Sequence, residues 1–270
     1  MSSYRLKNII ICILLFVNVA LLLLAGSNFR RETLQQKNLQ NQVLQLYADS
    51  GITLSVDQIA APRRLYSLSL SRESEEEFLF AATVLGDDVT SAEQSSGTVL
   101  YQSSLGEGRF LPNGYFDIHL QSEPVTDPAA FCQSICQRYG YRQLRQVAQR
   151  SGESRYTADL QVQGETVYRC AVTFVFDGEN RLTEVSGYFL PEEGSRLESV
   201  SSTVASALVQ FLDYRNRNGI VCNEVHSVSS GYFLQPGSAG QLQLIPVWAV
   251  ETDTHTYYVN ILEQSVSIAS

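Results

Sequence analysis

An uninterrupted apolar segment near the amino terminus constrains this chain more than any other feature of its sequence. Residues 9–26 are IIICILLFVNVALLLLAG, eighteen residues of which only Asn18 is strongly polar. A helix rises about 1.5 Å per residue, so such a segment spans most of a bilayer core of roughly 30 Å. The segment therefore predicts a transmembrane anchor over residues 9–26.

The charges on either side of this segment predict its orientation. Arg5 and Lys7 precede it without any acid, whereas Arg30 and Arg31 follow it. Positive residues before a first span favour the cytoplasm, and the later pair weakens this bias without reversing it. We therefore expect a cytoplasmic stub over residues 1–8 and a single-pass protein of the cell membrane whose bulk is extracytoplasmic.

Two other fates of the segment differ in how well they fit. A cleaved signal peptide stays the alternative to a retained anchor, because residues 25–27 (Ala-Gly-Ser) loosely match the small residues that signal peptidases prefer. A lipid anchor is not expected, because Ser27 stands where lipidation needs a cysteine thiol.

Asn18 is the candidate contact residue within the anchor. A polar amide in hydrocarbon favours a hydrogen bond to a neighbouring helix, worth about 1–2 kcal/mol in model helices. Residues at helical spacing share its face and form the candidate transmembrane partner contact with it: Ile11, Leu14, Leu15, Leu21, Leu22 and Ala25. The alternative is that the membrane simply tolerates one asparagine.

The charge of the chain excludes some partners. The formal net charge is −9, and beyond residue 28 there are 17 bases against 28 acids. Binding to nucleic acid requires clustered cations, so no nucleic-acid partner is expected. An acidic exported part should also not adhere to anionic lipid headgroups.

The segment after the anchor changes from a helical to a β-like pattern. Residues 27–50 predict a juxtamembrane amphipathic helix with Leu39, Val43, Leu46 and Tyr47 on one face and a stop at Gly51. It could be a stalk, a packed helix or a short coiled-coil seam. Residues 51–125 predict a first exported β-rich lobe with strands at 65–70, 78–85, 98–101 and 115–120, and a solvated loop over 86–97.

The remaining chain predicts two units in which a helix precedes an antiparallel meander. In residues 126–192, Asp127 caps a helix that begins with Pro128 and stops at Gly140, and strands follow at 141–147, 155–162, 166–176 and 181–190. In residues 193–270, Ser195 caps a helix that ends at Gly219, and strands follow at 220–228, 231–234, 241–251 and 255–262. The order is less clear a third time, from residue 32. These units predict an α+β fold.

Catalytic and metal-binding patterns are sparse. Cys132, Cys136, Cys170 and Cys222 permit three disulfide connectivities, and the histidines at 119, 226 and 255 are scattered singly along the chain. The sequence has no G-x-S-x-G elbow and no glycine-rich phosphate loop. The acids at 75–77, 87–88 and 192–193 are consecutive, which predicts solvated loop charges. We therefore predict no catalysis, no cofactor and no metal.

Two stretches of sequence resemble a known family. The pattern I-x-x-x-x-L-L-F-x-N-V-A-L-L over residues 9–22 resembles the start of YycI and YycH, extracytoplasmic regulators of Gram-positive bacteria. Residues 245–250 and 257–261 are similar to the closing hairpin of YycI and of PepSY-like modules. The resemblance implies PepSY-like lobes.

This resemblance also implies a function. It suggests a non-enzymatic regulator of a two-component sensor histidine kinase, which it would contact partly through its transmembrane helix, beside a homologous single-pass companion. One alternative is a PepSY-like inhibitor or a cell-envelope assembly adaptor that acts through its exported lobes. An exported hydrolase would require His226 or His255 beside a serine, a cysteine or paired carboxylates.

Overall fold

The structure is a computed structural model that describes residues 39–55, 57, 65–150, 152–197, 203–237 and 241–269, without the side chains of 148–150. The predicted stub, the predicted anchor over 9–26 and the first part of the juxtamembrane helix lie outside these residues. None of the described helices is long and apolar enough to cross a membrane.

The described elements are four helices and fourteen strands. The helices are α1 over residues 39–49, α2 (Ser74–Leu85), α3 (Pro128–Arg138) and α4 (Val204–Asn218). The strands are β1 (Leu68–Leu70), β2 (Thr90–Glu93), β3 (Val99–Gln102), β4 (Gly106–Phe110), β5 (Tyr115–Leu120), β6 (Tyr141–Arg150), β7 (Glu153–Val162), β8 (Glu165–Phe176), β9 (Leu182–Tyr188), β10 (Ser195–Arg196), β11 (Val225–Pro236), β12 (Leu242–Thr252), β13 (Thr256–Asn260) and β14 (Ser265–Ile268).

These strands form one large sheet in a mixed α+β fold, as the sequence predicted for the fold class. The main order is β10-β1-β12-β11-β8-β9-β5-β4-β3-β2; β13 and β14 continue from β12, and β7 and β6 continue from β8. Among the described strand pairs, only β8 and β11 are parallel. Strand β1 pairs with β10 and β12, so the sheet joins chain segments that are distant in sequence.

A helix followed by four consecutive antiparallel strands occurs three times in the described chain. The units are α2 with β2–β5, α3 with β6–β9 and α4 with β11–β14. The latter two match the predicted helix-plus-meander order. The least clear unit begins at α2 and not at residue 32.

The prediction of a strand over residues 78–85 was wrong, because this segment is the second half of α2. Its buried residues Phe80, Ala81, Val84 and Leu85 follow helical spacing. The glutamates at 75–77, predicted as loop charges, form the first turn of this helix, where negative charge favours the exposed N–H groups. A short apolar run alone does not distinguish a strand from a buried helix.

The local signals at the ends of α3 and α4 were mostly correct. The Asp127 carboxylate accepts from the Ala130 N–H at 3.0 Å, and Gly219 adopts a left-handed φ of 62° after α4. The predicted cap at Ser195 was wrong: Ser195 lies in β10 and pairs with β1, while Thr203 caps α4. Pairing at a sheet edge therefore outweighed a local capping signal.

Three strand predictions also need correction. The predicted loop over 86–97 contains β2, an exposed strand that pairs with β3. The two predicted strands at 220–228 and 231–234 are one strand, β11, and β14 was missed. The predicted break at residues 229–230 is absent, because Ser229, Ser230 and Gly231 all pair with β12. At Gly231 an added Cβ would come 2.5 Å from the Thr166 carbonyl oxygen and from the Tyr168 ring.

Helix α1 packs onto the last unit. Val43 and Tyr47 are buried in a cluster with α4 and β11–β13, and the Tyr47 hydroxyl donates to the Leu208 carbonyl at 2.8 Å. Of the three possibilities for this helix, its residues 39–49 fit a packed helix. Leu39 and Leu46 remain about half exposed, at 51% and 41%.

The helices and both hydrophobic clusters lie on one face of the sheet. Along β11, Val228 belongs to the cluster around α4, whereas Tyr232 and Leu234 belong to the cluster around α2 and α3. These residues alternate with β11 residues of the opposite face. In the described part of the chain, the opposite face carries no helix.

Candidate functional site

The predicted transmembrane contact, Asn18 with its face, lies outside the described residues. The cysteines beyond the anchor are described, and all four are buried free thiols. Burial raises the pKa of Cys136 to about 11 and that of Cys170 to about 12. The thiolate is the reactive form, so these thiols are poor nucleophiles.

The three histidines lie on or beside strands, as predicted. His119 on β5 is exposed, and its Nε2 lies 3.2 Å from the Asp117 carboxylate, which also accepts from Arg109 at 2.8 Å. His226 on β11 lies 3.7 Å from Glu224. Within the described ranges, neither ring bonds a serine or cysteine, and no three His, Cys, Asp or Glu side chains are grouped to hold a metal.

An aromatic cluster occupies the helix-free face where β8 meets β11. The rings of Tyr168 and Phe233 lie 4.8 and 5.0 Å from that of Tyr258. The Arg169 guanidinium lies 5.2 and 5.6 Å above the Phe233 and Tyr258 rings and donates to the Ile268 carbonyl at 3.1 Å. The Arg169 guanidinium therefore forms cation–π contacts with the Phe233 and Tyr258 rings.

The backbone explains how Arg169 reaches this position. Its φ is 65°, a left-handed conformation that is costly for a residue with a side chain. Between Thr166 and Ala171, strand β8 bulges away from β7 while it pairs with β11. We attribute the cluster to joining the second and third units, because Tyr168 and Arg169 of the second unit contact Phe233, Tyr258 and Ile268 of the third.

A groove with an apolar floor lies between α2 and the end of α3. It encloses about 160 Å³, and four of its lining residues are apolar or aromatic. Phe189 and Leu190 are buried at its floor, and Leu79 at its rim is 46% exposed. The lining residues are Glu76, Leu79, Arg138, Tyr139, Gly140, Gln161, Phe189, Leu190 and Glu192.

Hydrogen bonds and ring contacts hold the walls of this groove. The Tyr139 hydroxyl donates to the Leu79 carbonyl at 3.0 Å and lies 2.6 Å from the Thr83 hydroxyl, which ties the end of α3 to α2. The Tyr139 ring lies 4.9 Å from that of Phe80. The groove is therefore formed by packed side chains and not by a loose loop.

The rim of the groove is acidic. Partial loss of solvent, together with the charges of Glu73, Glu192 and Glu193, raises the pKa of the Glu76 carboxyl. Arg138 is the cation among the residues that line the groove, and its guanidinium lies 5.3 Å from the centre of the Tyr139 ring. An apolar floor below several carboxylates suits binding better than proton transfer, because the rim includes no histidine.

Helix α2 is positioned for this groove by an ion pair with low exposure. Arg72 donates to both carboxylate oxygens of Glu77, at 2.6 and 2.7 Å, and also bonds the carbonyls of Gly97 and Phe110. Glu77 is 4% exposed. A planar guanidinium suits this two-oxygen contact.

Sequence reasoning missed this groove because it missed α2. With residues 78–85 assigned to a strand, Leu79 had no reason to face the end of α3. The acids at 192–193 are exposed, as predicted, but consecutive charges carried no sign that they would stand near Glu76. The only available signal was the apolar spacing after three glutamates, which also fits an amphipathic helix.

Comparison with known proteins adds little to this site. The chain matches no protein family, and it matches no curated protein. It is similar to the crystal structure, at 1.45 Å resolution, of an uncharacterized protein from Eubacterium rectale ATCC 33656, with 10% sequence identity and a TM-score of 0.42. That alignment covers 78% of this chain and 82% of the other. A similarity at this level supports no functional argument.

Proposed function

We propose that this chain is a membrane-anchored extracytoplasmic regulatory protein that acts through protein–protein contacts and without catalysis. The groove between α2 and α3 is the observation that carries the proposal, because it combines apolar lining with charged rims, as docking sites do. The apolar segment over residues 9–26 supports the anchor.

The proposed partner is a two-component sensor histidine kinase, beside a homologous single-pass companion. The resemblance of the anchor and of the closing strands to YycI and YycH supports this choice. In this proposal, Asn18 and its helix face contact a transmembrane helix of the partner, and the PepSY-like exported lobes contact its extracytoplasmic part.

Crosslinking within the membrane tests the partner. Tagged full-length protein is crosslinked in its native host, and the captured proteins are identified by mass spectrometry. We expect a sensor kinase or a second single-pass protein, and we expect Asn18→Leu to reduce its capture. Val19→Leu, an apolar change on a different helix face, is the matched control. If Asn18→Leu and Val19→Leu capture the partner protein equally well, Asn18 does not contribute to the transmembrane contact.

The groove also favours a second candidate, an inhibitor or envelope-assembly adaptor that acts through the exported lobes alone. Replacing residues 9–26 with an unrelated single-pass segment keeps the anchor and removes the Asn18 face. Kinase capture should be lost if the transmembrane contact is required. The adaptor would be favoured if the protein with the replaced segment still regulates its target. It would also be favoured if crosslinking captures wall enzymes without a kinase.

A further inference from the structure

The size and floor of the groove between α2 and α3 limit what can occupy it. A dry cavity of about 150 Å³ is large enough for benzene. The groove, at about 160 Å³, thus accommodates one leucine- or phenylalanine-sized side chain. Leu79, Tyr139 and Phe189 provide the apolar contacts for such a side chain.

The charges around the groove favour basic residues on either side of the bound apolar side chain. Glu76 and Glu192 line it, and Glu73 and Glu193 are close enough to act on the Glu76 carboxyl. These like charges repel one another, and a bound cation would reduce the repulsion. Arg138 does not neutralise them, because it carries one charge and lies over the Tyr139 ring.

We propose that the groove binds an extended or helical segment of a partner protein in which a large apolar side chain is flanked by lysine or arginine. This inference rests on the proposed contact function in one respect, that the ligand is a protein, and it adds the chemistry of the contact. The apolar side chain enters between Leu79 and Phe189, and the flanking cations meet Glu76 and Glu192.

A second copy of this chain is a poorer occupant. Its most basic exposed strand is β6, where Val147 is 58% exposed near Arg142 and Arg145. However, Arg145 already makes two hydrogen bonds to Asp159, at 2.8 and 2.9 Å. Two copies that each carry a net charge of −9 also repel one another.

Peptide binding to the full-length protein in nanodiscs of phosphatidylcholine tests the proposal. The probe is a fluorescein-labelled peptide, Lys-Arg-Leu-Phe-Arg-Lys, and the matched control peptide has serine in place of leucine and phenylalanine. Fluorescence anisotropy should show binding of the probe that is at least about tenfold tighter than that of the control peptide, and that weakens as salt is raised.

Variants locate the binding. Glu76→Gln with Glu192→Gln should weaken probe binding about tenfold, and Leu79→Ser should weaken it with less change in the salt dependence. The control pair Glu93→Gln with Glu107→Gln removes the same charge from exposed strands and should change affinity less than about twofold. Circular dichroism confirms that each variant is folded.

Several outcomes would overturn the proposal. Equal affinity for the two peptides would show that the apolar side chains do not contribute to binding. Equal probe affinity of the Glu76→Gln/Glu192→Gln and Glu93→Gln/Glu107→Gln variants would place the binding site outside the groove. Self-association that Glu76→Gln with Glu192→Gln abolishes would identify a second copy as the occupant. Probe binding without kinase capture in the native host would instead contradict only the proposed kinase partner.

Discussion

Helices α2 and α4 begin in different ways, although four antiparallel strands follow each of them. The start of α4 is local: the Thr203 hydroxyl accepts from the Ser206 N–H at 3.3 Å. Before α2, Glu73 makes no side-chain cap, and Arg72 instead connects the first turn to carbonyls 25 and 38 residues away. The Thr203 cap is a local contact, although the sequence prediction placed the cap of α4 at Ser195. The contacts at the start of α2 join residues far apart in the chain, so no local pattern marks the beginning of α2, which was mistaken for a strand.

The largest test of this difference is Glu77→Gln. The substitution leaves the Arg72 guanidinium, which is only 25% exposed, without its carboxylate. We expect the free energy of unfolding to fall by about 2–3 kcal/mol, because breaking a pair of low exposure leaves an uncompensated charge. Denaturant unfolding, followed by the fluorescence of buried Trp248, measures the change.

Glu75→Gln is the matched control for this prediction, because Glu75 lies in the same turn but is exposed. It should change stability by less than about 0.5 kcal/mol. Similar losses from the two substitutions would mean that α2 depends on the charge of its first turn and not on the Arg72 contact.

Alkaline pH provides a second test, directed at α3. Burial raises the pKa of Cys136 from 9.0 to about 11, with Arg142 opposing the shift. Above pH 9 the unfolded chain loses this proton while the folded chain keeps it. The stabilising contribution is therefore complete below pH 9 and is lost as pH rises to 11, on the order of 2 kcal/mol.

Cys136→Ala isolates this effect. The variant should be less stable than the wild type at pH 7, because it leaves a small cavity. Its stability should nevertheless decline less steeply between pH 9 and 11, as measured by denaturant unfolding at several pH values. Parallel declines in the two proteins would show that other groups, such as buried tyrosines, cause the loss.

Removing the local cap of α4 should have a smaller effect. Thr203→Ala removes the hydroxyl that accepts from Ser206 and should cost about 1 kcal/mol. Thr203→Ser keeps the hydroxyl and should restore most of this loss. Ser74→Ala at the start of α2 should have little effect, because no side-chain cap exists there. A comparable loss from Ser74→Ala would contradict the contrast between the two helices.

The smallest effect is expected at the exposed end of α4. Arg217 forms an i,i+4 ion pair with Asp213, and their side chains are 74% and 51% exposed. Solvent screens such pairs, so Arg217→Gln should change the free energy of unfolding by less than about 0.5 kcal/mol. At high salt, the same denaturation assay should show an even smaller difference in unfolding free energy between Arg217→Gln and the unsubstituted protein. A loss as large as that of Thr203→Ala would show that α4 depends on its charges as well as on its cap.

The parts of the fold that sequence predicted have signals within a few residues of one another. Asp127 and Pro128 mark the start of α3, and Gly219 ends α4. Strand β5 begins and ends where it was predicted, because its apolar residues alternate with polar ones.

The errors occurred where distant segments compete for the same residues. Ser195 pairs with Ser69 of β1, and β11 continues through Gly231 because this residue pairs with Val247 of β12 and Thr166 of β8. The strand predicted over residues 78–85 hid the groove, because Leu79 faces Tyr139 only when this segment is the helix α2. The candidate site was therefore less predictable than the fold around it.

The sequence by itself determined an apolar segment long enough to span a bilayer, the acidic balance of the rest, the α+β class and the boundaries marked by Asp127, Pro128 and Gly219. These properties follow from composition and from periodicity within single elements. Only the tertiary structure decided that α2 is a helix, that its acids join Glu192 at a groove and that three units share one sheet. Those outcomes depend on ion pairs, ring contacts and strand pairing between residues far apart in the chain, which no local pattern encodes.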